Sequence, residues 1–299
     1  MNEQAAVVSL KSLTKDFARG GVRALQEIDL EVRPREFVSL IGPSGCGKST
    51  LLRIIGDLVP PTSGQVVVNG KQAHQARLDR DYGIVFQDAV LYDWRTVAKN
   101  IALPLEMLDW DRARRSERVG EMVALVELAG FEDHYPWQLS GGMQQRVSIA
   151  RALSFDPPLL LMDEPFGALD EMTRERLNTE LLRIWQETGS TVVFVTHSIP
   201  EAVYLSNRVV VMSPRPGRIT DLIDVHLSER TEDTREATEF FKNITAVREA
   251  LRRVEVPDDL PPDSQAVAVL IGRPRPVPPR SRGAGRRGGR PAAGLRAPR

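Results

Sequence analysis

The sequence predicts an α/β protein: a mostly parallel sheet covered on both faces, preceded by a β-rich subdomain and interrupted by an inserted helical lobe. Three observations predict it. Short apolar stretches at Phe37–Ile41, 159–162, Thr191–Val195 and Arg208–Met212 alternate with helix-forming sequence, and strands that alternate with helices pair in parallel with both faces buried. The first sixty residues instead string strand-like stretches (7–13, 28–32) between turns such as Arg19-Gly20-Gly21 and Arg33-Pro34-Arg35. From Asp88 to about Trp137 the pattern becomes helical, and "RRSERVGEMVALVELAG" sets Val119, Met122, Val123 and Val126 on one face at spacings of three and four.

The elements follow in order. A glycine loop after Ile41 leads into a helix over 49–56, a "PPTSG" turn, a strand at 65–68 closed by Asn69-Gly70, and a strand at 84–86 ending in Gln87. The helical lobe is expected at about 88–152. The three later strands, with helices between them, complete the sheet, and one amphipathic helix is expected over 232–253. A domain over 7–254 is thus followed by a Pro/Arg/Gly-rich tail at 255–299.

Composition narrows the class. The 299 residues, 41% hydrophobic, suffice for a large core. No run approaches the ~18 apolar residues of a membrane span, and "MNEQAAVVSLKSLTKDF" lacks the pattern of an export signal, so a cytosolic chain is expected. One cysteine, Cys46, excludes an internal disulfide and a cysteine metal cage. The charge sums to zero, but nine of the 40 basic residues lie in 273–299, where no acidic residue occurs. That tail has almost nothing to bury and is expected to be disordered. It is read as a solvated appendage or as a contact for anionic lipid or nucleic acid.

The strongest chemical signal is "GPSGCGKST" at 42–50, which fits G-x-x-x-x-G-K-[ST] between a predicted strand and a predicted helix: a P-loop. Gly42, Gly45 and Gly47 let backbone N–H groups of the loop, which includes Pro43, Ser44, Cys46 and Thr50, turn inward around phosphates. Lys48 reaches the β and γ oxygens, and the Ser49 hydroxyl can ligate Mg²⁺. Cys46 reads as a small loop-filling residue. The second signal is "LLLMDEP" at 159–165, a buried strand with two carboxylates at its C-terminal end, where parallel sheets bind ligands. Asp163 would hold Mg²⁺ and Glu164 would polarise an attacking water as general base. Taken without the phosphate loop, the pair could equally cap the next helix.

Between these lies "LSGGMQQR" at 139–146, a second Ser-Gly-Gly at a predicted helix start. With the P-loop and the Asp-Glu pair it resembles the signature of the ABC ATPase family, and the resemblance runs from about residue 7 to 254. Gln87 then resembles the Q-loop glutamine, "GALD" ending in Asp170 the D-loop, and His197 in "VTHS" the switch histidine. Phe17 stands where the family stacks an aromatic ring on adenine. The resemblance implies an ATP hydrolase acting as a head-to-tail dimer, with Ser140, Gly141 and Gly142 of one copy gripping the γ-phosphate held by the other. His197 would contact that phosphate, and Gln87 would sense Mg²⁺ and the attacking water.

The segments "VFQDAVLYDWRTVAKNIALPLEM" and "VMSPRPGRI" resemble the nitrate, sulfonate and taurine importer branch. That implies a subunit on the cytoplasmic face of the membrane, partnered with integral permease subunits and, through them, an extracytoplasmic solute-binding protein. Residues 90–97 are the expected docking surface, although Tyr92 and Trp94 read equally as buried aromatics. Another ABC importer or an exporter subunit, or a nucleic-acid-associated ATPase using the arginine tail, are the rival readings. Arg35 and Asp57 depart from the family pattern.

Overall fold

Two sheets organise the protein, and a computed structural model describes residues 5–18, 21–167, 169–228 and 230–255. The expected disordered tail lies, from residue 256 on, outside the described residues. The first sheet is antiparallel, in the order β2 (Val22–Val32), β1 (Val8–Phe17), β4 (Ser63–Val68), β5 (Lys71–Gln72). The second runs β10 (Ile219–Asp224), β9 (Arg208–Met212), β3 (Phe37–Ile41), β8 (Thr191–Val195), β7 (Leu159–Asp163), β6 (Tyr82–Val85). Only the β10–β9 pair is antiparallel.

Every residue of β3, β7 and β8 is buried, and the period of two divides them between two cores. Val38, Leu40, Leu159, Leu161, Val193 and Val195 join the apolar face of the antiparallel sheet and of α1 (Lys48–Ile55). Phe37, Ile41, Leu160, Met162, Val192 and Phe194 pack on the other side with the remaining large helices. Each side chain so buried contributes roughly 1.5–3 kcal/mol. This two-sided burial is why the stretches read as continuous apolar runs.

The helical lobe starts later than the sequence pattern. Residues 88–96 form no helix; α3 (Val97–Met107) begins only after Thr96, whose hydroxyl caps it. Buried Asn100 holds the preceding loop, donating to the carbonyls of Tyr92, Arg95 and Thr96 and accepting from the Tyr92 N–H at 2.8 Å. The backbone of that loop is therefore satisfied by one amide side chain rather than by a helical ladder. After α4 (Arg112–Leu125), capped by the Asp111 carboxylate, the chain enters α5 (Gly141–Leu153). Val119, Met122, Val123 and Val126 are all buried against this layer, as their spacing predicts.

Two further differences have local causes. The expected last helix is a 3₁₀ turn (Glu232–Glu236) followed by α8 (Thr238–Glu255). The break comes at Ala237, which is extended (φ −71, ψ 142) and donates its N–H to the Thr234 carbonyl at 3.1 Å. Strand β10 was not expected because Asp221 and Asp224 interrupt its apolar pattern. It is the sheet edge, where carboxylates discourage further pairing. Arg35 and Asp57 take positive φ of 59 and 50, the conformation that favours glycine. Among the described residues no helix is long and apolar enough to cross a membrane.

Candidate functional site

The loop between β3 and α1 is built as a cradle. Gly45 and Gly47 have φ of +76 and +110, and a Cβ at Gly47 would stand 2.7 Å from a Leu25 methyl carbon. Only glycine passes there. Helix α1 starts at Lys48 with no side chain capping its first turn and no acidic residue in it, so the positive end of its dipole is left for an anion. The Lys48 ammonium, 6% exposed, donates to the Gly42 and Pro43 carbonyls at 2.8 and 3.2 Å. Cys46 is buried beneath the loop, and burial pushes its thiol up from the ordinary value. A cavity of about 320 Å³ opens here, lined by Ser44, Gly45, Lys48, Ser49, Thr50 and Glu164 together with Gly47 and Arg215.

The carboxylate pair closes the other wall. Asp163 ends β7, and the Ser49 hydroxyl donates to its Oδ1 at 2.7 Å, while the Arg53 guanidinium lies 3.7 Å from Oδ2. One hydroxyl and one carboxylate, both hard oxygen donors at the mouth of the loop, suit a hard divalent cation such as Mg²⁺. Glu164 follows at φ +47, its N–H donating to the Val195 carbonyl at 3.0 Å. His197, half exposed, sits just past β8 with Nδ1 3.5 Å from the Glu164 Oε2. Gln87 reaches the same place: its Nε2 and the Glu164 Oε2 stand 3.5 and 3.6 Å from where a Gly167 Cβ would be.

The remaining expected residues are not among those lining the cavity. Phe17 ends β1 with an exposed ring and the Lys15 ammonium 5.0 Å from its centroid. Ser140 caps α5 through its own hydroxyl, accepting from the Met143 N–H at 3.3 Å. The nearest groups facing Gly141 and Gly142 are Leu169, Thr173 and Leu177. Asp170 caps α6 (Glu171–Thr188), accepting from the Thr173 N–H at 3.0 Å, and that contact draws its carboxyl below the ordinary value. Of the predicted set, the chain itself therefore gathers the P-loop, Asp163, Glu164, His197 and Gln87.

Arg215 escaped the sequence reading. Its guanidinium donates twice to the Gly45 carbonyl, at 3.2 and 3.0 Å, and lines the cavity. Gly217 presses on the loop from behind, where a Cβ would meet the Cys46 carbonyl at 2.1 Å. The signal was present in "SPRPG", but nothing in one dimension links residue 215 to residue 45.

A second surface lies beside Gln87. A groove of about 390 Å³ is lined by Tyr82, Phe86, Val90, Tyr92, Met107 and Arg151 among others. Trp94 is 73% exposed and Tyr92 39%, the two rings 5.0 Å apart edge to face, which removes the reading of these rings as buried core. Arg151, near the end of α5, donates to the Val90 and Ala89 carbonyls at 2.9 and 3.0 Å. Helix α5 thus runs from Gly141 to the loop that rims the groove.

Comparison with known proteins identifies the family. The family profile described as ABC transporter matches residues 25–167. The chain is 45% identical over 223 residues to an aliphatic sulfonates import ATP-binding protein of Bacillus thuringiensis, covering 74% of this chain and 87% of that one. It is 41% identical over 225 residues to a taurine import ATP-binding protein of Pseudomonas entomophila, covering 75% and 86%. A solved ATP-binding cassette, dimeric and in a post-hydrolysis state bound to ADP and Pi, superposes with a TM-score of 0.65 at 36% identity over 74% of this chain and 99% of that one. The chain belongs to the ABC transporter ATP-binding family.

Proposed function

We propose that the protein is the ATP-hydrolysing subunit of an ABC importer for a small solute of the sulfonate, taurine or nitrate kind. The observation that carries it is that the uncapped α1 terminus, Lys48, Ser49 and Glu164 meet at one cavity, with Asp163 bonded to Ser49 and with His197 and Gln87 beside Glu164. ATP places its phosphates on the glycine loop, with Lys48 leaving the loop carbonyls for the β and γ oxygens. Phe17 stacks on adenine at the far end. Ser49 and Asp163, with Gln87, would hold Mg²⁺, which when bound would offset phosphate charge. Glu164 takes a proton from the attacking water, and His197 donates to the γ-phosphate as the bond to ADP breaks.

The likeness to a dimeric cassette supports a second copy as the partner whose Ser140, Gly141 and Gly142 close on the γ-phosphate. ATP then holds the two copies together, and loss of that phosphate lets them part. The groove beside Tyr92 and Trp94 receives the permease at the cytoplasmic face of the membrane, and Arg151 passes its movement along α5. The solute is selected by the permease and an extracytoplasmic binding protein. Residues 7–254 form the nucleotide-binding domain.

Co-purification of the chain with a permease from membranes, lost when Trp94 and Tyr92 are changed to alanine, is the expected result. Salt-sensitive nucleic-acid binding that disappears on deleting residues 273–299 would favour the rival reading instead.

A further inference from the structure

We propose that Glu201 is a positioning residue for His197, fixing the loop at 196–198 through the Thr196 hydroxyl. The proposal rests on the reading of His197 as the residue that meets the γ-phosphate. It starts from a buried acid that the site does not use. Glu201, 6% exposed, lies on α7 (Ile199–Leu205), and its Oε1 has no hydrogen-bond partner among the described residues. Burial pushes its carboxyl up from the ordinary value, opposed by the Thr196 hydroxyl, Arg174, Asn178 and His197. A carboxyl in that place is a poor way to stabilise a helix, and its Oε2 accepts a side-chain hydrogen bond.

That bond comes from Thr196. The Thr196 hydroxyl donates to the Glu201 Oε2, and its oxygen accepts from the Ser198 N–H at 3.0 Å. Ser198 in turn caps α7, accepting from the Glu201 N–H at 3.4 Å. Residues 196 and 198 are therefore tied to each other and to α7, with His197 between them and its ring projecting to the Glu164 carboxylate. The half-exposed imidazole has its backbone set by a buried acid on the next helix. Around Glu201, α6 presents Glu171, Arg174 and Glu175, the 3₁₀ turn presents Arg235, and α7 itself Tyr204, all on a cavity of about 240 Å³. Asn178 of α6 lines the same cavity and also faces the Glu201 carboxyl.

The test is steady-state ATP turnover by the full chain, with melting temperature as control. Glu201→Leu and Thr196→Val are expected to lower kcat by about 10- to 100-fold, the scale of a misplaced catalytic group, with KM for ATP held within about threefold. Glu201→Gln keeps an acceptor for the Thr196 hydroxyl and is expected to stay within about threefold of the original kcat. Combining Glu201→Leu with Thr196→Val is expected to be no worse than the lower single variant, because both cut one link. Unchanged kcat in Thr196→Val overturns the proposal. So does a Glu201→Gln as slow as Glu201→Leu, or a KM that rises as kcat falls. Should Glu201→Leu not fold, Thr196→Val and Glu201→Gln decide alone. His197→Ala separates the two levels: full turnover there refutes the reading of His197, whereas an inactive His197→Ala beside a fully active Thr196→Val refutes only the positioning.

Discussion

Two helices of this protein open on glycine-rich phosphate-type motifs, and their N-termini are built differently. Helix α1 starts without a side-chain cap, buries the Lys48 ammonium against its own loop, bonds Asp163 through Ser49 and faces Glu164 across a cavity. Helix α5 caps itself with Ser140 and, although buried along most of its length, exposes its start at Ser140 and Gly141, its glycines facing Leu169, Thr173 and Leu177 of the same chain. The first is a whole pocket. The second has N–H groups and a dipole, and the nearest atoms facing its glycines are methyl carbons of Leu169, Thr173 and Leu177. A helix end alone is a weak anion site; in the proposed dimer the α5 end of one copy would complete the site built on α1 of the other.

The largest expected effect tests the walled end. Glu164→Gln should lower ATP turnover by roughly 10²- to 10⁴-fold, the usual worth of a general base, while ATP binding by fluorescent-nucleotide titration stays intact. Near-normal turnover would remove Glu164 from that role. Lys48→Ala should weaken nucleotide binding and hydrolysis together, because the same ammonium neutralises bound and reacting phosphate; an unchanged nucleotide affinity would count against it.

The open end is tested by Ser140→Arg, which should leave ATP binding to the single chain largely intact but abolish ATP-driven dimerisation, measured by analytical ultracentrifugation, and with it turnover. Persistent dimers would break the contrast drawn between the two helices. The smallest effect sharpens it: Ser140→Ala removes the helix cap and should cost about 1 kcal/mol of unfolding free energy, measured by denaturant titration. A turnover loss larger than that stability change explains would show that the hydroxyl acts beyond its own helix.

Much of this was legible in one dimension because it depends on short-range rules. A P-loop needs glycine at fixed offsets, since positive φ at Gly45 and Gly47 leaves no other choice. The buried strands are legible because burial on both faces leaves only apolar residues, with Asp163 and Glu164 placed at the end where a parallel sheet opens. The start of α3 was misplaced by nine residues, since the helix-favouring composition from Asp88 says nothing of Asn100 satisfying the loop backbone. Strand β10 was hidden by its aspartates, which sit at an edge the sequence does not announce.

The sequence by itself determined the P-loop, the carboxylate pair, the signature and their order along the chain, because each is fixed by local backbone geometry or by the chemistry of the group. Only the tertiary structure decided that Arg215 grips Gly45 and that Glu164, His197 and Gln87 converge from three separate strand ends. It alone decided that Glu201 reaches back to Thr196, and that Tyr92 lines a groove with the exposed Trp94 ring beside it. Those contacts join residues from five to 170 positions apart, and no periodicity or spacing encodes which of many possible long-range pairs the packing of two cores brings together.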